Sequence, residues 1–150
     1  MTPTELQSFL HTHIPATATL GITVQECHHD KVSLAMPHAG NQNHKNTVFG
    51  GSIALAATTC GWALTYLNFP EANGNIVIQQ GQTRYLRPAT GDLILTVRSV
   101  SDTDWVMAHD EWQRRGKGKI LLETEIYSNN KLVAVFAGRY VVFNENPQAA

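Results

Sequence analysis

Residues 48–67 read VFGGSIALAATTCGWALTYL and carry no charge over 20 positions. A run of this length can span a bilayer. However, two glycines open it, four serine and threonine residues lie inside it, and no cluster of basic residues marks a cytoplasmic side. A helix that is apolar all round is either a membrane span or a core helix. We therefore predict a buried central helix that ends near Pro70, with the rest of the chain organised around it.

One face of this helix carries almost no side-chain bulk. Gly51, Ala54, Thr58, Gly61 and Thr65 recur at spacings of three and four residues, which places them on the same side. Either a sheet or a ligand can therefore lie very close to the helix along this face.

Composition limits the class of protein. The 150 residues predict one domain, 1–150, with a full core. Eleven basic and twelve acidic residues give a net charge of −1, which argues against a nucleic-acid or anionic-membrane partner. Cys27 and Cys60 are too few for a disulfide framework. The first residues lack a basic region followed by an apolar stretch, so we expect a cytoplasmic protein.

The rest of the chain predicts an α+β fold. A short helix over 4–10 is ended by Pro15, and two strands, 22–27 and 31–36, precede the central helix. Short turns separate five further predicted strands, which would pair antiparallel. These strands cover 76–86, 93–100, 105–114, 120–128 and 132–143. The pattern predicts an antiparallel sheet wrapped around one long helix.

The strand that begins at Ile76 has a polar middle, QQGQT at 79–83. Buried glutamines need hydrogen-bond partners. Two interpretations remain open. The strand is either an exposed sheet edge, or it meets a subunit interface or a site, where Gly81 permits close backbone approach.

Common catalytic and cofactor motifs are absent from the sequence. It contains no phosphate-binding loop, dinucleotide fingerprint, nucleophile elbow or zinc-protease motif. The histidines at 28, 29, 38 and 44 do not have the spacing of zinc ligands, so we predict no metal and no cofactor. Cys60 lies mid-helix without a nearby cation, where a thiol stays protonated and inert.

The start of the central helix is the strongest candidate for chemistry. The free N–H groups of Gly50, Gly51 and Ser52, with the helix dipole, suit a carbonyl oxygen that becomes negative in a transition state. Asn43 lies seven residues before Gly50 and could reach this space from the preceding loop. The alternative is a glycine-rich helix entry that only packs tightly.

Two segments resemble a known family. The N-x6-G-G pattern from Asn43 to Gly51 and TRYLRPATGD at 83–92 resemble the hot dog fold of acyl-CoA thioesterases. The closest resemblance is to a thioesterase-like group whose helix opens with T-V-F-G-G-S, found alone or fused to an acetyltransferase domain. It implies a homodimer with sheets joined edge to edge and two interfacial sites, and it leaves open whether two dimers pair into a tetramer. It also implies that the Gly50 N–H polarises the thioester carbonyl and that Asn43 helps to place water or substrate.

This chain departs from its relatives at two site positions. Many relatives carry His at the position of Phe49, which we include among the substrate-binding residues, and an acid at the position of Thr58. Thr58 can only orient a water or donate one hydrogen bond. The hot dog hydratases need a His with a carboxylate partner, and the helix offers neither. We expect a water held by Thr58 and Asn43, with the partner subunit's Gln80 or the partner subunit's Gln82 as further candidates and Thr59 as the alternative to Thr58.

Cations near these segments suggest how the carrier is bound. The cations nearest in sequence to the two motif segments are Arg84, Arg87 and Lys45. CoA carries phosphates, and arginine can bind a phosphate through two hydrogen bonds. The arginines are otherwise ordinary surface charges. The sequence thus predicts hydrolysis of an acyl-CoA or acyl-carrier-protein thioester. The alternative is a non-catalytic hot dog module that binds acyl thioesters or a protein partner.

Overall fold

The computed structural model describes residues 1–144. Four helices and six strands follow one another in this order: α1 Pro3–His13, α2 Pro15–Thr19, β1 Thr23–His28, β2 Lys31–Met36, α3 Gly50–Asn68, β3 Ile76–Tyr85, β4 Leu93–Arg98, α4 Asp102–Arg115, β5 Lys117–Ser128 and β6 Lys131–Phe143. A single 3-10 turn, Pro70–Ala72, follows α3.

The six strands form one sheet in the order β1-β2-β4-β5-β6-β3. Every neighbouring pair is antiparallel. The central helix α3 contacts all six strands, so the sheet wraps around it. This arrangement confirms the predicted α+β hot dog fold. No helix within residues 1–144 combines the length and hydropathy needed to cross a membrane.

The buried side of α3 forms the centre of the core. Ile53, Ala57, Cys60 and Leu64 are at most 3% exposed and face the inner side of the sheet. The Cys60 thiol points at the carbonyl oxygen of Val32, at 3.6 Å. Complete burial raises the pKa of this thiol far above its usual range, because the thiolate would lose its hydration. Cys60 is therefore a core residue, in agreement with its predicted inertness.

The prediction of a strand over 105–114 is wrong, because α4 occupies this region. The Ser101 side chain caps the helix by accepting from the Asp104 N–H, and Gly116, at φ +80°, ends it. Trp105 and Ala108, three residues apart, are buried on one side of it. The residues read as a turn before a strand are therefore the cap and first turn of a helix. Four strands follow α3 instead of five.

The N-terminal region follows the prediction except for a second short helix, α2, and small shifts of boundary. The helix α1 runs to His13, and Pro15 is the first residue of α2 instead of a simple stop. Proline fits there because the first helical N–H has no partner within its own helix.

Candidate functional site at the start of the central helix

The two segments that carry the family resemblance meet in space. The Val48 N–H, just before α3, donates to the Ala89 carbonyl oxygen at 2.9 Å. The His38 N–H donates to a carboxylate oxygen of Asp92 at 2.8 Å. The turn at 86–92 is thus joined to the 37–49 loop at both ends of that loop. The sequence motifs are far apart along the chain, but they build one structure around the beginning of α3.

The first turn of α3 presents free backbone donors. Phe49 is the N-cap residue and its side chain makes no capping hydrogen bond. The first helical hydrogen bond runs from the Ile53 N–H to the Phe49 carbonyl oxygen, at 3.1 Å. Within residues 1–144, the N–H groups of Gly50, Gly51 and Ser52 have no acceptor. Unpaired donors at the positive end of a helix dipole attract a partial negative charge.

Two aromatic rings flank these donors. The Tyr85 ring, at the end of β3, would lie 3.3 Å from a Cβ added to Gly50, and the Phe49 ring would lie 2.7 Å from one added to Gly51. Both rings are more than half exposed, Phe49 at 55% and Tyr85 at 53%. Because Gly50 and Gly51 have no side chains, the two aromatic rings can lie close to the backbone at the helix start.

The Asn43 side chain is used within its own loop. Its Nδ2 donates to the Thr47 hydroxyl oxygen at 3.0 Å, and its Oδ1 accepts from the N–H groups of Lys45 and Thr47. These bonds form a local turn of the kind that asparagine favours. Every contact that the structure gives the Asn43 amide thus lies inside the loop, and its role in placing a water stays a prediction.

Thr58 and Thr59 lie on different sides of α3. Thr58 is half-buried on the open side, and its hydroxyl donates to the Ala54 carbonyl oxygen at 2.8 Å. Its lone pairs remain able to accept a hydrogen bond from water. Thr59 is 4% exposed and donates to the Leu55 carbonyl oxygen. Of the two threonines, Thr58 is the one that a ligand on the open side can reach.

The small-residue face of α3 has two parts. Gly51 is exposed and Ala54 and Thr58 are partly exposed, whereas Gly61 is buried against the Tyr140 ring of β6. The sequence left open whether a sheet or a ligand approaches this face. The sheet covers its C-terminal part, and the N-terminal part remains accessible.

The register of β3 separates its predicted substrate-binding residues from the helix start. Tyr85 pairs with buried Ala134 of β6, so it lies on the sheet face that meets α3. Alternation from Gln80 to Tyr85 puts Gln80, Gln82 and Arg84 on the opposite face. In this chain these three side chains do not lie with the helix start, and their part in substrate binding stays a prediction.

Arg87 has a different position. It is exposed and lies in the 86–92 turn, two residues before the Ala89 carbonyl that contacts the helix-start loop. Of the two predicted phosphate-binding arginines, Arg87 is therefore the one on the structure that frames the site.

One edge of the sheet is formed by β3, which pairs with β6 alone in the part of the chain described. Its residues from Gln79 to Gln82 are exposed. This matches the predicted exposed edge, since within residues 1–144 no strand pairs with the other side of β3.

Sequence reasoning missed Tyr85 as a site residue. Its hydroxyl donates to the Gly50 carbonyl oxygen at 2.7 Å, so it contacts the residue that opens α3. The only sequence signal was its place in the TRYLRPATGD segment. Neither strand alternation nor composition indicates that this ring reaches a helix 35 residues earlier in the chain.

Comparison with known proteins finds a thioesterase family and several solved structures of the same fold. The family described as "Putative thioesterase (yiiD_Cterm)" matches residues 3–144. A crystal structure of a protein of unknown function from Chlorobaculum tepidum is 28% identical, with a TM-score of 0.88 over 96% of this chain and 98% of that chain. A putative thioesterase from Shewanella oneidensis is 29% identical, with a TM-score of 0.78 over 94% and 96%. A probable thioesterase from Pseudomonas aeruginosa is 25% identical, with a TM-score of 0.80 over 94% and 95%.

Proposed function

Because the chain belongs to this family of thioesterases, we propose that it hydrolyses the thioester of an acyl-CoA or acyl-carrier protein at the start of α3. The observation that carries the proposal is the set of unpaired N–H groups at Gly50, Gly51 and Ser52, on an accessible helix start. They lie where the two motif segments meet, at the contact between Val48 and Ala89.

The helix start stabilises the charge that develops during the reaction. Attack of a water oxygen on the carbonyl carbon converts the thioester oxygen into an oxyanion. The first N–H groups of a helix have no acceptor within the helix, so those of Gly50 and Gly51 can donate to an oxyanion at this end and are in place before it forms. Removal of one such donor typically costs roughly 3–4 kcal/mol of transition-state stabilisation.

A thioester can be hydrolysed at a site that has no general acid to protonate the leaving group. When the tetrahedral intermediate collapses, the C–S bond breaks and the carrier leaves as a thiolate, which takes up a proton from water. An ordinary thiol has a pKa of about 8.5, so the thiolate leaves without obligatory protonation. The attacking water loses its proton to solvent, and the products are a carboxylic acid and a free thiol.

Thr58 is the residue that we assign to hold the water. It lies two turns beyond Gly51 on the accessible side of α3, and helical side chains lean toward the N-terminus. Its hydroxyl hydrogen is committed to Ala54, so the oxygen accepts from the water instead of removing its proton. This arrangement orients the nucleophile and supplies no general base, which predicts modest rates.

The site is completed by a second copy of the chain. The unpaired edge of β3 can extend the sheet across a two-fold axis, and the large exposed side chains of Phe49, Val77, Tyr85 and Leu86 lie on or beside this part of the molecule. A homodimer that buries them would also cover the accessible part of α3. The acyl chain would then lie between subunits.

One observation favours a second candidate function. The helix from Gly50 to Asn68 contains no carboxylate and no histidine. A module that binds acyl thioesters without hydrolysing them needs the helix-start donors but no base.

The deciding experiment is release of free thiol from a panel of acyl-CoAs and acyl-carrier proteins of different chain length. A thiol-reactive dye detects turnover by the purified protein. Turnover above background with any substrate supports hydrolysis. If no substrate turns over but a non-hydrolysable acyl-CoA analogue binds in calorimetry, the binding module is the correct function.

A further inference from the structure

The Tyr85 hydroxyl is bonded to the backbone at the helix start. It donates to the Gly50 carbonyl oxygen at 2.7 Å, within the range of a strong O–H···O hydrogen bond. The ring lies against Gly50, where a Cβ would be 3.3 Å away. Because its hydrogen is used in this bond, the Tyr85 hydroxyl is not a donor to a substrate in this arrangement.

The Gly50 carbonyl and the Gly51 N–H belong to the same peptide unit. That unit is planar, so a bond that fixes the direction of the carbonyl also fixes the direction of the N–H. Two consecutive glycines give this backbone more freedom than any other pair of residues would. A hydrogen bond to the carbonyl also polarises the peptide and makes its N–H a stronger donor.

We propose that Tyr85 is a positioning residue, which orients and polarises the Gly50–Gly51 peptide so that the Gly51 N–H binds the thioester carbonyl as it becomes an oxyanion. This role rests on the proposed hydrolytic function. The sheet face of Tyr85 supports it. The alternation of β3 places this ring, and none of the polar side chains at 80, 82 and 84, on the side of α3.

The test combines Tyr85→Phe with a direct measurement of the peptide. The substitution removes the hydroxyl and keeps the exposed ring, so the fold is retained. Tyr127→Phe is the matched control, since Tyr127 is half-buried on β5 and its hydroxyl donates to a carboxylate oxygen of Glu125 at 3.5 Å. Steady-state kinetics with the best acyl-CoA substrate gives kcat and KM for wild type and both variants.

The sequence allows the peptide to be observed alone by NMR. Positions 50 and 51 are the only two consecutive glycines among eleven. Protein labelled with ¹⁵N and carbonyl-¹³C in glycine therefore gives one cross-peak in an HNCO spectrum, from the Gly50 carbonyl and the Gly51 N–H. This peak reports the hydrogen bond whether or not the protein turns over.

We expect Tyr85→Phe to shift the cross-peak upfield in both the carbonyl and amide-proton dimensions. It should lower kcat by about three- to tenfold, the change that corresponds to one neutral hydrogen bond, with KM nearly unchanged. Tyr127→Phe should leave the peak, kcat and KM as in wild type.

Three results would overturn the inference while leaving hydrolysis in place: an unmoved peak, an unchanged kcat, or an effect on KM alone. If wild type hydrolyses no thioester, the proposed function fails, and the positioning role of Tyr85 in hydrolysis fails with it, even where the peak moves.

Discussion

The Tyr140 hydroxyl of β6 occupies the space that a side chain on Gly61 of α3 would need, and from there it donates to the Thr58 carbonyl oxygen at 2.9 Å. This contact sets how closely the sheet approaches the central helix. Burial raises the pKa of the Tyr140 phenol well above its usual range, so the hydroxyl keeps its proton and remains a donor.

We expect Gly61→Ala to destabilise the protein by ~1–3 kcal/mol or more, because the added methyl group collides with the Tyr140 ring in a closely packed core. Tyr140→Phe alone should cost about 1 kcal/mol for the lost hydrogen bond. In the double variant the collision is partly relieved, so its free energy of unfolding should exceed the additive value. Urea denaturation measures all three, and strict additivity would contradict the shared space.

Thr58→Val should lower kcat by roughly tenfold, less than the 10²–10⁴-fold that a general base contributes, since only the oriented water is lost. The matched control is Thr59→Val, whose hydroxyl is buried against Leu55. Thr59→Val should lower the melting temperature and leave kcat close to that of wild type. We expect Thr58→Asp to raise kcat by supplying a carboxylate base. Full activity in Thr58→Val would show that the water is held elsewhere.

Arg87→Ala should raise KM for acyl-CoA several-fold with little change in kcat, as expected when a phosphate contact of equal strength in ground and transition states is lost. Arg84→Ala provides the comparison, because Arg84 lies on the sheet face away from α3. Its KM should stay close to that of wild type. A KM for Arg87→Ala equal to that of wild type would remove Arg87 from the carrier site.

Light scattering should give at least twice the chain mass of 16.5 kDa at micromolar concentration. Joint substitution Gln80→Glu and Gln82→Glu places like charges on adjacent edge strands of a two-fold dimer and should weaken it. Leu121→Glu is the control, because Leu121 is also exposed but lies on β5, inside the sheet. A monomer mass for wild type would contradict the proposed dimer.

His109 should hold α4 to the end of α3. Its Nδ1 lies 2.9 Å from a Glu71 carboxylate oxygen, and its Nε2 lies 2.8 Å from the Asn68 carbonyl oxygen. Its ring stacks on the Phe69 ring, with 3.8 Å between the two ring centroids. We expect His109→Ala to cost roughly 1–3 kcal/mol of stability through these lost contacts. Hydrogen exchange should then quicken in α4 first. His44→Ala is the control, because His44 is exposed. Equal rates of amide hydrogen exchange in α4 of the two variants would show that other contacts dock this helix.

The sequence by itself determined the elements whose pattern is local. The uncharged run at 48–67 predicts α3 to within two residues at its start and one at its end, because apolarity on all sides requires burial. The turn at 129–130 joins β5 and β6, which pair antiparallel as expected. The strands on either side of the turn at 88–92 do not pair with each other, because β3 lies beside β6 and β4 lies between β2 and β5. The segment at 102–115 was misread, although Ser101 and the acidic first turn are the signals of a helix start.

Only the tertiary structure decided which side chains share the site. Asn43 and Gly50 are close in sequence, but the loop uses the Asn43 amide for its own turn. Gln80 and Gln82 are polar and exposed, and a strand register that depends on β6 puts them on the far face. Tyr85 reaches Gly50 for the same reason. The period of a strand gives the alternation of its side chains, whereas the face that meets the helix is fixed by pairing with a distant strand.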